Sequence, residues 1–481
     1  MSSTLLHVPP VFAQNYGAVV QALNLPHALR VSRPARSRGR GQRAAGQAVA
    51  STAQIFAIDL FAGAGGASTG IEWATGVAPR VAINHCQHAI AMHRINHPSP
   101  QTKHYCESVV IGPVPAGGAT QAPRRKKGPA GTPPPTPLDP AVVCQGQPVD
   151  LLWASPDCTH HSSLRGKKPV DQKIRWLAWQ VVNWVDAVHP KLIFLENVGE
   201  FRDWGPLGLD DRPIEKKKGE TFDLFVKALR DRGYEVEWTL LDASHYGAPT
   251  DRTRLFLVAR SDGQPIVWPE PTHGPGKEPV ATAFSCVHWE EGVPSIFVPG
   301  GVVNPLVNRG RPGRLTPALQ RRIAFVVQKY ANDKPKTVLV DKQRVLPLLI
   351  TDGYGERADQ LPRVLDIHEP LGTIVAGGKK HGLVFARLGP QPNPRVRAFL
   401  EKNSTRPVEH GSPYPPIKVG RKKFYITDIG YRKMSAAELQ VCQGFPADYV
   451  IRGEESHRVA RIGNSVVPQV AAALVKAQLR G

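Results

Sequence analysis

The sequence predicts an α/β fold, a doubly wound, mostly parallel sheet followed along the chain by a second, irregular domain. Three observations lead there. Short apolar runs of strand length (IFAIDL, DLLWASP, LIFLENV, RLFLVAR) recur between residues 55 and 260. Stretches with apolar residues at helical spacing separate them. The first run passes directly into a glycine-rich turn, FAGAGG, which opens a helix.

Taken in order, residues 1–53 end in RVSRPARSRGRGQRAAGQAVAST, rich in Arg, Gly and Ala with almost no large apolar side chains, and read as a disordered basic leader. Residues 54–260 form the main domain. Its first strand covers 55–60, RVAINH gives a second strand, and QHAIAMHRINHP gives a helix stopped at Pro98. Residues 112–148 are Pro- and Gly-rich around RRKK and read as a flexible insertion. Between DLLWASP and LIFLENV, Trp176, Leu177, Trp179, Val181, Trp184, Val185 and Val188 recur at helical spacing, the pattern of a core face. TFDLFVKALRDRGY then predicts a helix, and EVEWTLLDA and RLFLVAR two strands. The rhythm breaks over 261–430, where Pro, Gly and basic clusters (GGKKHG, GRKKF) are frequent. It returns over 431–481, which is expected to rejoin the main domain.

The formal net charge of +21 favours a polyanionic partner, with nucleic acid the first candidate. Six cysteines at 86, 106, 144, 158, 286 and 442 include no CxxC pair, which argues against a zinc ribbon or a disulfide scaffold. No apolar run approaches membrane-spanning length, and the N-terminus lacks signal-peptide features. A cytoplasmic protein with no membrane partner is expected.

In an open parallel sheet, ligands collect beyond the carboxyl ends of the strands. FAGAGG lies at such an end, and its glycines permit close backbone approach and positive φ. No Lys-Ser/Thr pair follows it, which lowers the case for an NTPase. Cys158 and Glu196 both follow later strands and are expected to face one cleft. A soft thiolate can add to an electron-poor ring while a carboxylic acid protonates or hydrogen-bonds the ring nitrogen. The plainer alternatives are a small buried cysteine, a carboxylate that only caps, or, more remotely, a metal site of Cys158, His160 and His161. In YGAPTDRTR, Arg252 and Arg254 alternate into a strand and so share a face. They could bind a carbonyl oxygen or a phosphate, or form surface ion pairs.

DLFAGAGG, SPDC, ENV, YGAPTDRTR, LQVCQGFP and RIGNSVVP together resemble, in type and order, the motifs of DNA (cytosine-5)-methyltransferases, with the looser segments closest to the phage and prophage branch. The resemblance covers 55–260 and 431–481. It implies a Rossmann-like, S-adenosylmethionine-dependent methyltransferase domain, with 261–430 as a target-recognition domain and EPLGTIVAGG resembling its recurring motif. It implies a cofactor site from Phe61, Ala62, Gly63, Ala64, Gly65, Gly66, Pro156, Asn464 and Ser465, with His85 at the ribose and Glu107 or Ser108 near the adenine. Cys158 would attack carbon 6 of a flipped cytosine, Glu196 contact N3 and the exocyclic amine, and Arg254, with Arg252 beside it, the 2-carbonyl oxygen. The partner implied is double-stranded DNA, bound by a monomer; a cognate restriction nuclease is not visible in the sequence. Asp157, Thr159, His85 and Thr250 stand where the family usually has proline, glutamine, an acid and glutamine. An ionised Asp157 would disfavour a Cys158 thiolate unless Arg252 offsets it. The competing readings are a tRNA methyltransferase on the same catalytic domain and a DNA-binding relative without turnover.

Overall fold

A computed structural model of the chain describes residues 55–111, 138–158, 175–298, 315–332, 335–352, 360–403 and 416–480. The leader (1–53), the stretch 112–137 and the 159–174 segment containing Thr159, His160 and His161 lie outside the described residues.

The first layer is a seven-stranded sheet. Its strands are β1 (Ala57–Leu60), β2 (Val81–Ile83), β3 (Lys103–Tyr105), β4 (Leu151–Ala154), β5 (Leu192–Asn197), β6 (Glu235–Asp242) and β7 (Thr253–Arg260). They lie in the order β3-β2-β1-β4-β5-β7-β6, with β7 antiparallel to both neighbours and the remaining pairs parallel. The chain runs outward from β1 to β3 and then returns to start again at β4. The switch point therefore falls between β1 and β4, where such sheets bind their ligands.

The central strands β1, β4 and β5 are buried along their whole length because helices cover both faces, whereas the edge strands β3 and β6 are largely exposed or half-buried. On one face Ile58, Leu152, Ile193 and Leu195 meet Trp184 of α4 (Trp179–Val188) and Phe222 and Phe225 of α5 (Glu220–Arg230). On the other, Ala57, Trp153, Phe194 and Phe256 meet Ile71 of α1 (Gly66–Thr75) and Val470 and Leu474 of α10 (Pro468–Leu479). The C-terminal helix thus packs beside the first helix of the chain. The remaining helix of this edge is α2 (Gln87–Asn96). Of the tryptophan run, Val181, Trp184 and Val185 are buried in the core on the α4 side and Trp179 and Val188 pack against it, while Trp176 and Leu177 are only half-buried and outside it.

Two expectations change. The stretch 112–148 is not a loop throughout: Asp139 caps α3 (Pro140–Cys144), and Val143 and Cys144 join the first core. The second domain is also more regular than its composition suggests. Strands β8 (Val338–Val340), β9 (Gln343–Thr351), β10 (Val364–Leu365), β11 (His381–Gly389), β12 (Ile417–Val419) and β13 (Lys422–Lys433) form an antiparallel sheet. Helices α6 (Pro317–Asn332) and α7 (Pro394–Asn403) are its other main elements, and the apolar side chains of both join the sheet in a separate core. Strand β13 leads into α8 (Ala436–Cys442) through a capping box between Ser435 and Glu438, and α9 (Glu455–Gly463) follows.

Candidate active site

The sequence-predicted groups line one edge of the first sheet. Glu107 follows β3, His85 follows β2, residues 61–66 follow β1, and Pro156 and Cys158 follow β4. Glu196 occupies the penultimate position of β5, inside the strand rather than just past it. Because β7 runs the other way, Arg252 and Arg254 at its start come to the same edge.

The β4–β5–β7 end holds thiol, carboxyl and guanidinium together. Arg254 Nε stands 3.6 Å from Glu196 Oε1, with Glu196 only 7% exposed. Asn197 donates from Nδ2 to the Pro156 carbonyl at 3.2 Å, tying the loop before Cys158 to the end of β5. Burial pushes the Cys158 thiol above its usual range, and the Glu196 and Asp157 carboxylates push the same way. Arg254 and Arg252 oppose them. Asp157 is exposed and ranks below both Glu196 and Arg254 in its effect, so Glu196 dominates the local charge.

Arg252 is buried, and its Nη1 donates to the Ile374 carbonyl at 3.2 Å while Nε has no partner. Ile374 belongs to EPLGTIVAGG, which docks against the YGAPTDRTR loop. Thr250 Oγ1 donates to the Leu371 carbonyl at 2.8 Å, and Leu371 N–H to the Pro249 carbonyl at 2.9 Å. Thr250 therefore joins the EPLGTIVAGG segment to this sheet edge, a role the sequence did not reveal.

At the β1–β2–β3 end, Phe61 holds a left-handed φ of 65°, and Ala62 N–H donates to the Ile83 carbonyl at 2.9 Å. A side chain on Gly63 would meet only the Phe61 carbonyl, at 3.8 Å, so this part of the turn is open. Gly65 and Gly66 differ from expectation because protein, not open space, surrounds them. A Cβ on Gly65 (φ 87°) would lie 2.2 Å from the Tyr449 hydroxyl, and one on Gly66 2.0 Å from the Val466 carbonyl and 2.5 Å from Ser465 Oγ. Ser465 is buried against the turn, whereas Asn464 is exposed at the end of α9. His85 is exposed. Glu107 Oε2 is buried with no hydrogen-bond partner, while Ser108 Oγ accepts the Val110 N–H at 3.2 Å.

Sequence reasoning missed what supports this turn from below. Tyr449 donates to the Ala64 carbonyl at 2.6 Å, and buried Asp59, Ser68, His93 and His97 form a polar cluster nearby, joined by half-buried His104. The available signal was His93 and His97 at i and i+4 on one helix face. Among the described residues no group of His, Cys, Asp and Glu has the arrangement of a metal site.

Fold and site together define a Rossmann-like α/β protein with a glycine-containing turn, open at Gly63, on one side of the switch point. On the other side lies a thiol–carboxyl–guanidinium cluster suited to nucleophilic addition. The family model for C-5 cytosine-specific DNA methylases matches residues 143–283 and 385–480. The type II methyltransferase M.AgeI of Thalassovita gelatinovora is 26% identical over 87% of this chain and 98% of its own length. M.XorII of Xanthomonas oryzae pv. oryzae is 30% identical over 50% of this chain and 48% of its own. DNA (cytosine-5)-methyltransferase 4 of Arabidopsis thaliana is 25% identical over 68% of this chain, which spans only 22% of that enzyme. The solved structure of an S. pombe Dnmt2 methyltransferase aligns over 89% of this chain and 98% of its own at 13% identity, with a TM-score of 0.46. The chain carries a C-5 cytosine-specific DNA methylase domain over these two segments and is similar to DNA (cytosine-5)-methyltransferases across most of its length.

Proposed function

We propose that this protein methylates carbon 5 of a cytosine flipped out of double-stranded DNA, using S-adenosylmethionine, through a covalent adduct with Cys158. The observation that carries the reading is the shared position of Cys158, Glu196, Arg252 and Arg254 at one sheet edge, beside an open nucleotide-type turn. The pocket fits the cofactor: Glu107 Oε2 is a buried acceptor in need of a donor, as an adenine amine is, and the turn at Gly63 is open. Phe61, Ala62, Gly63, Ala64 and Pro156 would line the pocket, His85 would accept a ribose hydroxyl, and Asn464 and Ser465 would close it, with Gly65 and Gly66 shaping the turn. When bound, the cofactor supplies the methyl group.

The chain's own groups do the rest. Arg254 hydrogen-bonds the 2-carbonyl oxygen, with Arg252 supporting it from below. Glu196 donates to N3, which makes carbon 6 electrophilic. Cys158 gives its proton to water, and its sulfur adds to carbon 6 as the Glu196 proton passes to N3, so that the carbon 5–carbon 6 electron pair becomes available at carbon 5 to take the methyl group. The carbon 5 proton then passes to water, the carbon 5–carbon 6 double bond re-forms, the sulfur departs as thiolate and N3 returns its proton to Glu196. The second sheet and its basic segments would neutralise phosphates and read base edges.

Two measurements test this. Bisulfite sequencing of DNA from cells expressing the protein should show one methylated cytosine context. DNA carrying 5-fluorocytosine should trap the wild type covalently, because fluorine blocks the final proton loss, and should not trap Cys158→Ser. Methylation that persists in Cys158→Ser would overturn the mechanism.

A further inference from the structure

The turn proposed to bind the cofactor starts from Phe61, an aromatic residue held at φ 65°, where side chains other than glycine are strained. Something must hold it there. The strand before the turn and the helix after it are joined beneath it: Ser68 Oγ donates to Asp59 Oδ2 at 2.6 Å, closing the loop at its base. His93 Nε2 lies 2.8 Å from Ser68 Oγ, and His93 Nδ1 lies 2.9 Å from His104 Nε2. Asp59, Ser68 and His93 are at most 2% exposed. Four groups from β1, α1, α2 and β3 therefore share one chain of hydrogen bonds. Beside it, Glu72 Oε2 meets His97 Nδ1 at 2.8 Å, and Tyr449 caps the turn at the Ala64 carbonyl.

We propose that the Asp59–Ser68–His93–His104 chain is a buried pin that keeps the cofactor turn in its binding shape, with Asp59 and Ser68 as positioning residues. This rests on the turn being the S-adenosylmethionine site. Both histidines of the chain are neutral, since burial first, then neighbouring cations and imidazoles, pushes His104 down to about 4 and His93 well below its usual range. A neutral imidazole has one donor and one acceptor, so the chain has a direction. With Asp59 ionised it runs His104 to His93 to Ser68 to Asp59. With Asp59 protonated every bond can reverse, Asp59 donating to Ser68, Ser68 to His93 and His93 to His104. Burial raises Asp59 to about 7, against the Ser68 hydroxyl and backbone N–H. Both forms are therefore populated near neutrality, and the pin is joined in each. The other groups around it, Glu72, Arg94, His97 and Tyr449, are not part of the chain.

Ser68→Ala removes the joint and little volume. Asp59→Ala removes one end, and Asp59→Asn keeps an atom that can pair with Ser68. A turn that populates its binding shape less lowers apparent affinity in proportion. Calorimetric titration of the full chain with S-adenosylmethionine and with S-adenosylhomocysteine should show both weakened about tenfold to hundredfold in Ser68→Ala and Asp59→Ala. Asp59→Asn should recover most of that loss, and kcat at saturating cofactor should hardly change. Wild-type affinities in Ser68→Ala, with its folding checked by circular dichroism, would overturn the pin. So would loss confined to the cationic S-adenosylmethionine, which would make Asp59 a charge partner instead. A wild type that binds neither ligand would remove the proposed function, and the pin with it.

Discussion

At the residue scale, the Cys158 thiol is the proposed nucleophile, and its protonation state sets its reactivity. Its pKa lies above the ordinary thiol range, from burial first and the Glu196 carboxylate second, so at neutral pH it is protonated in the free protein. Alkylation of Cys158 by iodoacetamide should accelerate as pH rises through the alkaline range. Glu196→Gln removes the larger of the two carboxylates that disfavour the thiolate, so it should shift that profile to lower pH. The same variant cannot give N3 a proton, and turnover should fall by about 10²–10⁴-fold. A site in which reactivity toward the alkylating agent and turnover fell together would not have Glu196 in this role. Exposed His85 is proposed to meet the ribose where a carboxylate is usual, and His85→Glu should hold or improve S-adenosylmethionine affinity in calorimetry. Unchanged binding in His85→Ala would take it out of the pocket.

At the element scale, the strongest constraint is the approach of the segment before α10 to the turn before α1. Gly66→Ala would drive a methyl group against backbone at Val466 rather than against a flexible side chain. Overpacking of this kind costs about 1–3 kcal/mol, which urea unfolding would measure, and cofactor affinity should fall with it. Much of this edge was legible in the sequence. Strands β1, β4, β5 and β7 are short apolar runs that carry their functional groups at or beside their ends, so position followed from period. Strand β3, three half-exposed residues, has no apolar run to find. Strand β9 was hidden by Pro347. It is tolerated because β11 pairs with Pro347 from one side, while on the other β8 pairs only with 343–345 and β10 only with 349–350, so among the described residues no strand faces Pro347 there. The pairing of Thr250 with Leu371 joins residues far apart in the chain, and no local pattern encodes such a contact.

For the whole molecule, the net charge of +21 makes a prediction independent of the catalytic edge. DNA affinity should fall steeply and linearly on logarithmic axes as salt rises, through release of condensed counterions. Removing residues 1–53 should reduce the slope and the nonspecific affinity while the methylated cytosine stays the same; gel-shift titrations and bisulfite sequencing of the truncated protein check both. A changed target would place part of the reading surface in the leader. The closure of the first turn by Tyr449 also concerns time. Its hydroxyl reaches Ala64 from 385 residues further along the chain. At roughly 5–20 residues per second, a ribosome needs about 20–80 s to cover that distance. Until then the turn lacks its cap, so it reaches its final closed shape only near the end of synthesis.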